Sequence, residues 1–260
     1  MNNADSPADR GLRQGRAFES LLLFLLLFTP LMPQKEGLTS FGVFKVDEVL
    51  TRLLFRDVPL IAFLMFRFHL DIPEALPKLR SFRWKDFLVI PLTVFLLALT
   101  GMIIQKVYHV STGFSGPLFQ IQGPRTGFEW CLLSISTFFS AYAEEVFFRL
   151  YLLECWGISH LFSKMAPLLR GTLRIEPFPR TTPSIERSPF SWRPLPWGPV
   201  IVSSLLFALT HLYQGPLGFF QALGAGLILA LVYLQTGSIH PPALAHGIFN
   251  LLVYLRIFFS

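Results

Sequence analysis

Residues 130–153 read WCLLSISTFFSAYAEEVFFRLYLL. Apart from Glu144, Glu145 and Arg149 the stretch carries no charge, and as a helix rising 1.5 Å per residue it is long enough to cross a hydrocarbon core of about 30 Å. A charged side chain at the bilayer centre costs roughly 2.5–3.5 kcal/mol on insertion scales. Such groups face a protein interior or a wet cavity, and they mark a functional site by default. The stretch reads as a transmembrane helix built around a charged cluster.

The rest of the chain agrees. Of its 260 residues 52% are hydrophobic and only 15% charged, where soluble domains carry about 25% charged. That length accommodates six to eight spans of about 20 residues each. Apolar runs occur at 17–32, 51–70, 87–104, 130–153, 198–213, 217–234 and 243–259. The expected fold is therefore all-α, a polytopic transmembrane helix bundle with about seven spanning helices. The run 17–32 has no small-x-small cleavage site after it and reads as an uncleaved first span. The run 51–70 is the shortest clean stretch, flanked by Arg56 and Asp57 on one side and Arg67 and His69 on the other. It spans if those ends snorkel; otherwise it lies partly at the interface.

The net charge of +6 does not point to nucleic acid, because the excess Lys and Arg lie in short segments between apolar runs. Segment 71–86 carries Lys78, Arg80, Arg83 and Lys85. Segment 160–197 carries Lys164, Arg170, Arg174, Arg180, Arg187 and Arg193, whereas 105–129 has only Lys106 and Arg125. Seven spans with a cytoplasmic N-terminal tail, residues 1–16, place both strongly basic segments on the cytoplasmic side, as the positive-inside rule requires. The protein is thus expected to be integral and multi-pass, in the inner membrane if the cell is bacterial. Segment 160–197, rich in Pro and Ser, reads as an extended cytoplasmic loop. The two cysteines form no Cys-x-x-Cys pair, which speaks against a cysteine-based metal site.

Three polar clusters interrupt the apolar runs. In the first, Glu145 and Arg149 are four apart on one helical face and can pair. Glu144 projects about 100° away and has no partner within its own helix, a lone buried carboxylate of the kind that serves as general acid or base. The competing reading is a structural triad that locks two helices together. The second cluster ends at His211, close to Gly215 and Pro216, where a histidine also serves as an interfacial or capping residue. In the third, His246 and Asn250 share a face, and Gly247 between them allows close approach of another helix. Two carboxylates and two imidazoles are the parts of a hydrolytic centre.

Glu-Glu-x-x-x-Arg (Glu144, Glu145, Arg149), Phe-x-x-x-His (Phe207, His211) and His-x-x-x-Asn (His246, Asn250) resemble, in order and spacing, the three motifs of the CPBP intramembrane proteases. That family groups type II CAAX prenyl endopeptidases with bacteriocin-processing and self-immunity proteins. The run 223–238, with Gly224, Gly226 and Thr236-Gly237-Ser238, resembles the family's penultimate helix. The resemblance covers roughly 125–256, a catalytic membrane domain that includes the basic loop; residues 17–124 are N-terminal transmembrane helices without such a likeness.

The resemblance implies an endopeptidase acting on a membrane-embedded or lipidated peptide or protein, with the bilayer as its other partner and no nucleic acid. It implies Glu144 as the base that activates water, His211 as its assistant, and His246 with Asn250 as stabilisers of the oxyanion, with Glu145 and Arg149 orienting the site. A metal-free glutamate mechanism without any cofactor is favoured. Zn2+ is the alternative, with Glu144, His211 and His246 as ligands and a fourth position for water. A non-proteolytic scaffold and a transporter or proton relay are the other classes. A relay predicts polar residues throughout the depth, and 87–104 and 217–234 offer almost none beyond Gln221. One feature strains every version: His211 lies some 14 residues into its helix from the cytoplasmic side and His246 about four, a depth difference of about 15 Å. Convergence then requires helix tilt, an earlier start of the helix before residue 198, or a turn at 236–242 that enters the membrane.

Overall fold

The structure is a computed structural model that describes residues 19, 22–24, 41–43, 46–71, 76–80, 82–113, 121–155 and 197–259. The tail 1–16 lies outside these residues, as do nearly all of segment 160–197 and, except at 19 and 22–24, the first expected span. The described residues are helical apart from short connections and one brief parallel pairing of β1 (Phe41–Val43) with β2 (Ile121–Gln122).

Helix α1 (Val46–Arg52) continues through a π-helical stretch, Leu53–Asp57, into α2 (Val58–Asp71). A short α3 (Leu76–Arg80) precedes α4 (Asp86–Thr112). Helix α5 (Gly127–Glu145) passes into a second π-helical stretch, Val146–Cys155. Then come α6 (Trp197–Leu209), a 3-10 turn Leu212–Gln214, α7 (Gly215–Thr236) and α8 (His240–Phe259). Four helical segments, Asp86–Thr112, Gly127–Leu153, Leu212–Thr236 and His240–Phe259, are long and apolar enough to cross a membrane; Trp197–Leu209 is apolar but shorter. The chain is an all-α, polytopic integral membrane protein.

Local sequence explains the helix ends. Thr126 opens α5 with a capping box, its hydroxyl accepting from Glu129 N while the Glu129 carboxylate accepts from Thr126 N, so two end donors are satisfied reciprocally. Helix α7 stops at Gly237, whose φ of 64° is a left-handed conformation that favours glycine. Helix α4 leaves Leu88, Phe95, Ile103, Val107 and Val110 exposed, an apolar face that suits lipid rather than water.

The core gathers around the π-helical stretch after α5. Phe147, Phe148, Leu150 and Tyr151 are fully buried with Leu64, Phe68, Val200 and Phe207. Phe24 meets the edge of Phe148 at a centroid distance of 6.4 Å. Helices α1–α2 and α5 run parallel, since Arg56 reaches Ser140 and Phe68, a dozen residues on, reaches Tyr151. The uncertain run 51–70 is thus helical throughout and packs against the charged stretch.

The connection between α7 and α8 is buried inside the protein, with Ser238 at 2% and Ile239 at 0% exposure. Helix α3 covers it: Ile239 N donates to Lys78 O (3.3 Å), and His240 Nε2 donates to Leu79 O (2.7 Å). Irregular backbone inside a membrane protein is tolerated where protein groups satisfy it, and here they do.

Helices α6 and α7 cross closely at Gly226, where an added Cβ would lie 3.2 Å from Ser204 Cα and 3.3 Å from the Phe207 ring. We expect Gly226→Leu to lower the thermal unfolding midpoint in detergent, with a cost of about 1–3 kcal/mol from overpacking. Gly101→Ala, with nothing within 4 Å of the new Cβ, should leave the midpoint unchanged or slightly raised. Equal midpoints in the two variants would refute the close crossing.

Candidate active site

The pair Glu144–Glu145 occupies the last two α-helical positions of α5, and the looser π winding begins at the next residue. The two carboxylates have opposite surroundings. Glu145 is fully buried: its Oε2 accepts from Arg149 Nε at 2.9 Å, and its Oε1 accepts from His246 Nδ1 at 3.1 Å. Arg149, also at 0% exposure, donates from Nη1 to Ser203 Oγ (3.2 Å) and lies 5.2 Å from the centre of the Phe207 ring. Ser203 Oγ in turn donates to the Phe148 carbonyl at 2.9 Å. One buried charge pair therefore joins α5, its π-helical continuation, α6 and α8.

Glu144 keeps 15% of its side chain exposed. Ser140 Oγ donates to its Oε1 at 3.3 Å, so the side chain does have a polar neighbour on its own helix, contrary to the expectation of a lone group. Two cationic or potentially cationic groups approach without closing: Arg56 Nη2 at 3.9 Å from Oε1 and His246 Nε2 at 4.0 Å from Oε2. With Nδ1 donating to Glu145, the opposite nitrogen of His246 faces Glu144.

His211 sits at the end of α6, part-buried, with Nδ1 3.0 Å from the Phe207 carbonyl oxygen. That oxygen can only accept, so Nδ1 carries the hydrogen and Nε2 of the neutral ring is left as an acceptor. Glu144, His246 and Arg56 lie within electrostatic reach of His211. Phe207 separates the two imidazoles, its ring centre 4.8 Å from that of His211 and 5.7 Å from that of His246. Asn250 is half-buried one turn beyond His246 on α8 and makes no hydrogen bond to another described residue. The turn before α8 thus brings His246 to the glutamates despite its early position in the helix.

Sequence reading missed two contributors. Arg56 was weighed only as a flanking charge. In the structure it donates from Nε to Asp57 Oδ1 (2.6 Å) and from Nη2 to Ser140 Oγ (2.7 Å), so Ser140 links it to Glu144. Asp57 is fully buried, and an acidic residue inside an apolar run was the available signal. His240 falls within the turn at 236–242, where the sequence carries no signal of a contact. Its Nε2 donates to the Leu79 carbonyl, so its Nδ1 accepts from the Tyr142 hydroxyl at 3.2 Å, pinning the buried turn to α5 two residues before Glu144.

Among the described residues no three His, Cys, Asp or Glu side chains converge in a way that would hold a metal ion. Nδ1 of His246 is turned to Glu145 and Nδ1 of His211 to a carbonyl, which leaves Nε2 as the outward nitrogen of each ring.

The fold and the buried polar centre define a polytopic membrane protein with the groups of a hydrolase. Residues 126–252 match the family model of the type II CAAX prenyl endopeptidases, Rce1-like. Among curated proteins and solved structures, none matches the chain significantly.

Removing one member of a buried ion pair strands the other charge, at about 3–5 kcal/mol. We expect Arg149→Met to destabilise the protein by that order, measured as thermal unfolding in detergent. Adding Glu145→Gln should recover a good part of the loss. Additive losses in the double variant would show that the pair does not act as a unit.

Proposed function

We propose that the chain is an intramembrane endopeptidase that hydrolyses a peptide bond near the C-terminus of a membrane-tethered, lipidated substrate, with Glu144 as general base. The observation that carries this reading is the unequal state of the two glutamates: Glu145 is consumed by Arg149 and His246, while Glu144 remains partly exposed with His246 and Arg56 held just beyond contact. Gaps near 4 Å are of the kind a bridging water fills. His211, with its Nε2 left as an acceptor, is the second group that holds the attacking water.

The chemistry follows from those positions. Glu144 takes a proton from water as the water oxygen attacks the carbonyl carbon. Negative charge moves to the carbonyl oxygen, and donors preorganised toward it lower the barrier most. His246, held between Glu145 and Glu144, presents Nε2–H in its cationic form, and the Asn250 amide supplies a second donor one helical turn away. Glu144 then returns its proton to the leaving amine as the carbon–nitrogen bond breaks. Glu145 and Arg149 position His246 and do not touch substrate. No metal enters this route. The N-terminus lies on the cytoplasmic side, as do the basic segments 71–86 and 160–197, and in a bacterial cell the membrane is the inner one.

The test is cleavage of a prenylated C-a-a-X peptide by purified protein in detergent or vesicles. A positioned base contributes about 10²–10⁴-fold, so Glu144→Gln should lose turnover by that order while the protein still inserts and unfolds at the wild-type midpoint. His246→Ala and Asn250→Ala should each lose about 10²–10³-fold, mainly in kcat. Retained turnover in Glu144→Gln would move the base to another group. A strong chelator should leave cleavage intact; loss on chelation with recovery on stoichiometric Zn2+ would overturn the metal-free route.

A further inference from the structure

An open recess of about 380 Å³ beside the glutamate centre is lined by Asp47, Thr51, Arg52, Phe55 and Arg56. Its inner edge is Arg56, the residue that reaches Ser140 and approaches Glu144, so the recess and the proposed catalytic carboxylate are neighbours. All five lining residues come from α1 and the π-helical stretch after it, outside residues 126–252.

The two arginines differ in commitment. Arg56 is occupied by Asp57 and Ser140. Arg52 is half-buried, its Nε is shielded from solvent, and that nitrogen has no hydrogen-bond partner. A buried guanidinium N–H without an acceptor is costly unless a ligand supplies one. The acidic groups nearby do not supply it. Asp57 and Glu144 face Arg56, and Asp47, exposed on the same wall, forms no ion pair with Arg52 among the described residues. A planar anion that accepts two parallel N–H bonds is the natural complement of such a fork.

Distance identifies the anion. An endopeptidase acting within a C-terminal Cys-aliphatic-aliphatic-X box cuts no more than three residues from the chain end. At about 3.3–3.6 Å per residue the terminal carboxylate then lies within roughly 10–11 Å of the scissile bond. Arg56 approaches Glu144 at 3.9 Å, and Arg52, four residues earlier on the same helical face, lies about one turn or 5–6 Å further out. The sum is close to the reach of an extended tripeptide. Phe55, 77% exposed, offers an apolar wall for the aliphatic side chains on the way.

We propose that this recess seats the C-terminal carboxylate of the substrate, with Arg52 as the residue that recognises it. The assignment rests on the endopeptidase reading of the Glu144 centre. It makes the protease a reader of the chain end as well as of the lipid tether, and it assigns that reading to the N-terminal helices.

The experiment compares one farnesylated C-a-a-X peptide as its free acid and as its C-terminal amide, with wild type, Arg52→Ala and Arg52→Lys. Wild type should cleave the acid about 10–100-fold more efficiently in kcat/KM, chiefly through KM, as loss of a charge-assisted pair implies. In Arg52→Ala the two peptides should be cleaved with equal efficiency, and Arg52→Lys should recover part of the preference. Equal cleavage of acid and amide by wild type would overturn the carboxylate seat while leaving the protease standing, and needs no variant to fold. A preference that survives in Arg52→Ala would overturn Arg52. Failure of wild type to cleave either peptide above the Glu144→Gln background would overturn the endopeptidase reading and this inference with it.

Discussion

The rest of the structure depends on how the Glu145 carboxylate is satisfied. A buried carboxylate oxygen is costly without a partner, and here each has one: Arg149 on one side and His246 on the other. Those partners come from different places in the chain, one turn along the same helical segment and 101 residues downstream. Meeting them fixes the rotation of α5 and α8 about their own axes. Arg149 passes the constraint on to Ser203 and the Phe207 ring, which sets the rotation of α6 as well. In a medium where apolar packing between helices resembles packing against lipid, such directional contacts specify an arrangement that hydrophobicity alone cannot.

Rotation fixed at Glu145 determines what its neighbour can do. Adjacent helical residues point about 100° apart, so locking Glu145 into the core leaves Glu144 at the edge of it, toward α1–α2 and the partly exposed space between. The looser winding that begins at Val146 accompanies this change of role, and the other π-helical stretch, Leu53–Asp57, holds Arg56, which approaches Glu144 from the other side. Departures from α-helical winding are frequent where a side chain is re-aimed for function. Here both fall where charged groups turn inward.

The sequence made the glutamate centre readable because its signal is local. Glu145 and Arg149 stand four apart inside an apolar run, and so, on another helix, do His246 and Asn250. Six of the apolar runs, from 51–70 to 243–259, were legible for the same reason and fall on helices of the described residues. What stayed hidden depends on partners far away in the chain. Arg56 meets Ser140 across 84 residues and His240 meets Tyr142 across 98, and no periodicity within either segment announces those contacts. Arg56 also sat where a charge has an ordinary explanation, at the end of a short apolar run. The turn between α7 and α8 is of the same kind, its polar groups answered by Leu79, Lys78 and Tyr142 from distant segments.

These contacts divide the labour between the two parts of the chain. The family-matched residues supply the carboxylates, imidazoles and amide, held by contacts among α5, α6 and α8. On the Oε1 side of Glu144 that set supplies Ser140. The π-helical stretch after α1 adds an arginine that is itself restrained by a fully buried aspartate and by Ser140. An arginine bound on two sides is a fixed wall rather than a mobile charge, since the planar fork loses little further freedom once two of its donors are committed. If Glu144 is the base, as proposed above, a carboxylate bounded in this way would meet substrate from the direction the N-terminal helix leaves open. On that reading, changes in the helix would alter which peptides reach the centre without altering the groups proposed to do the chemistry.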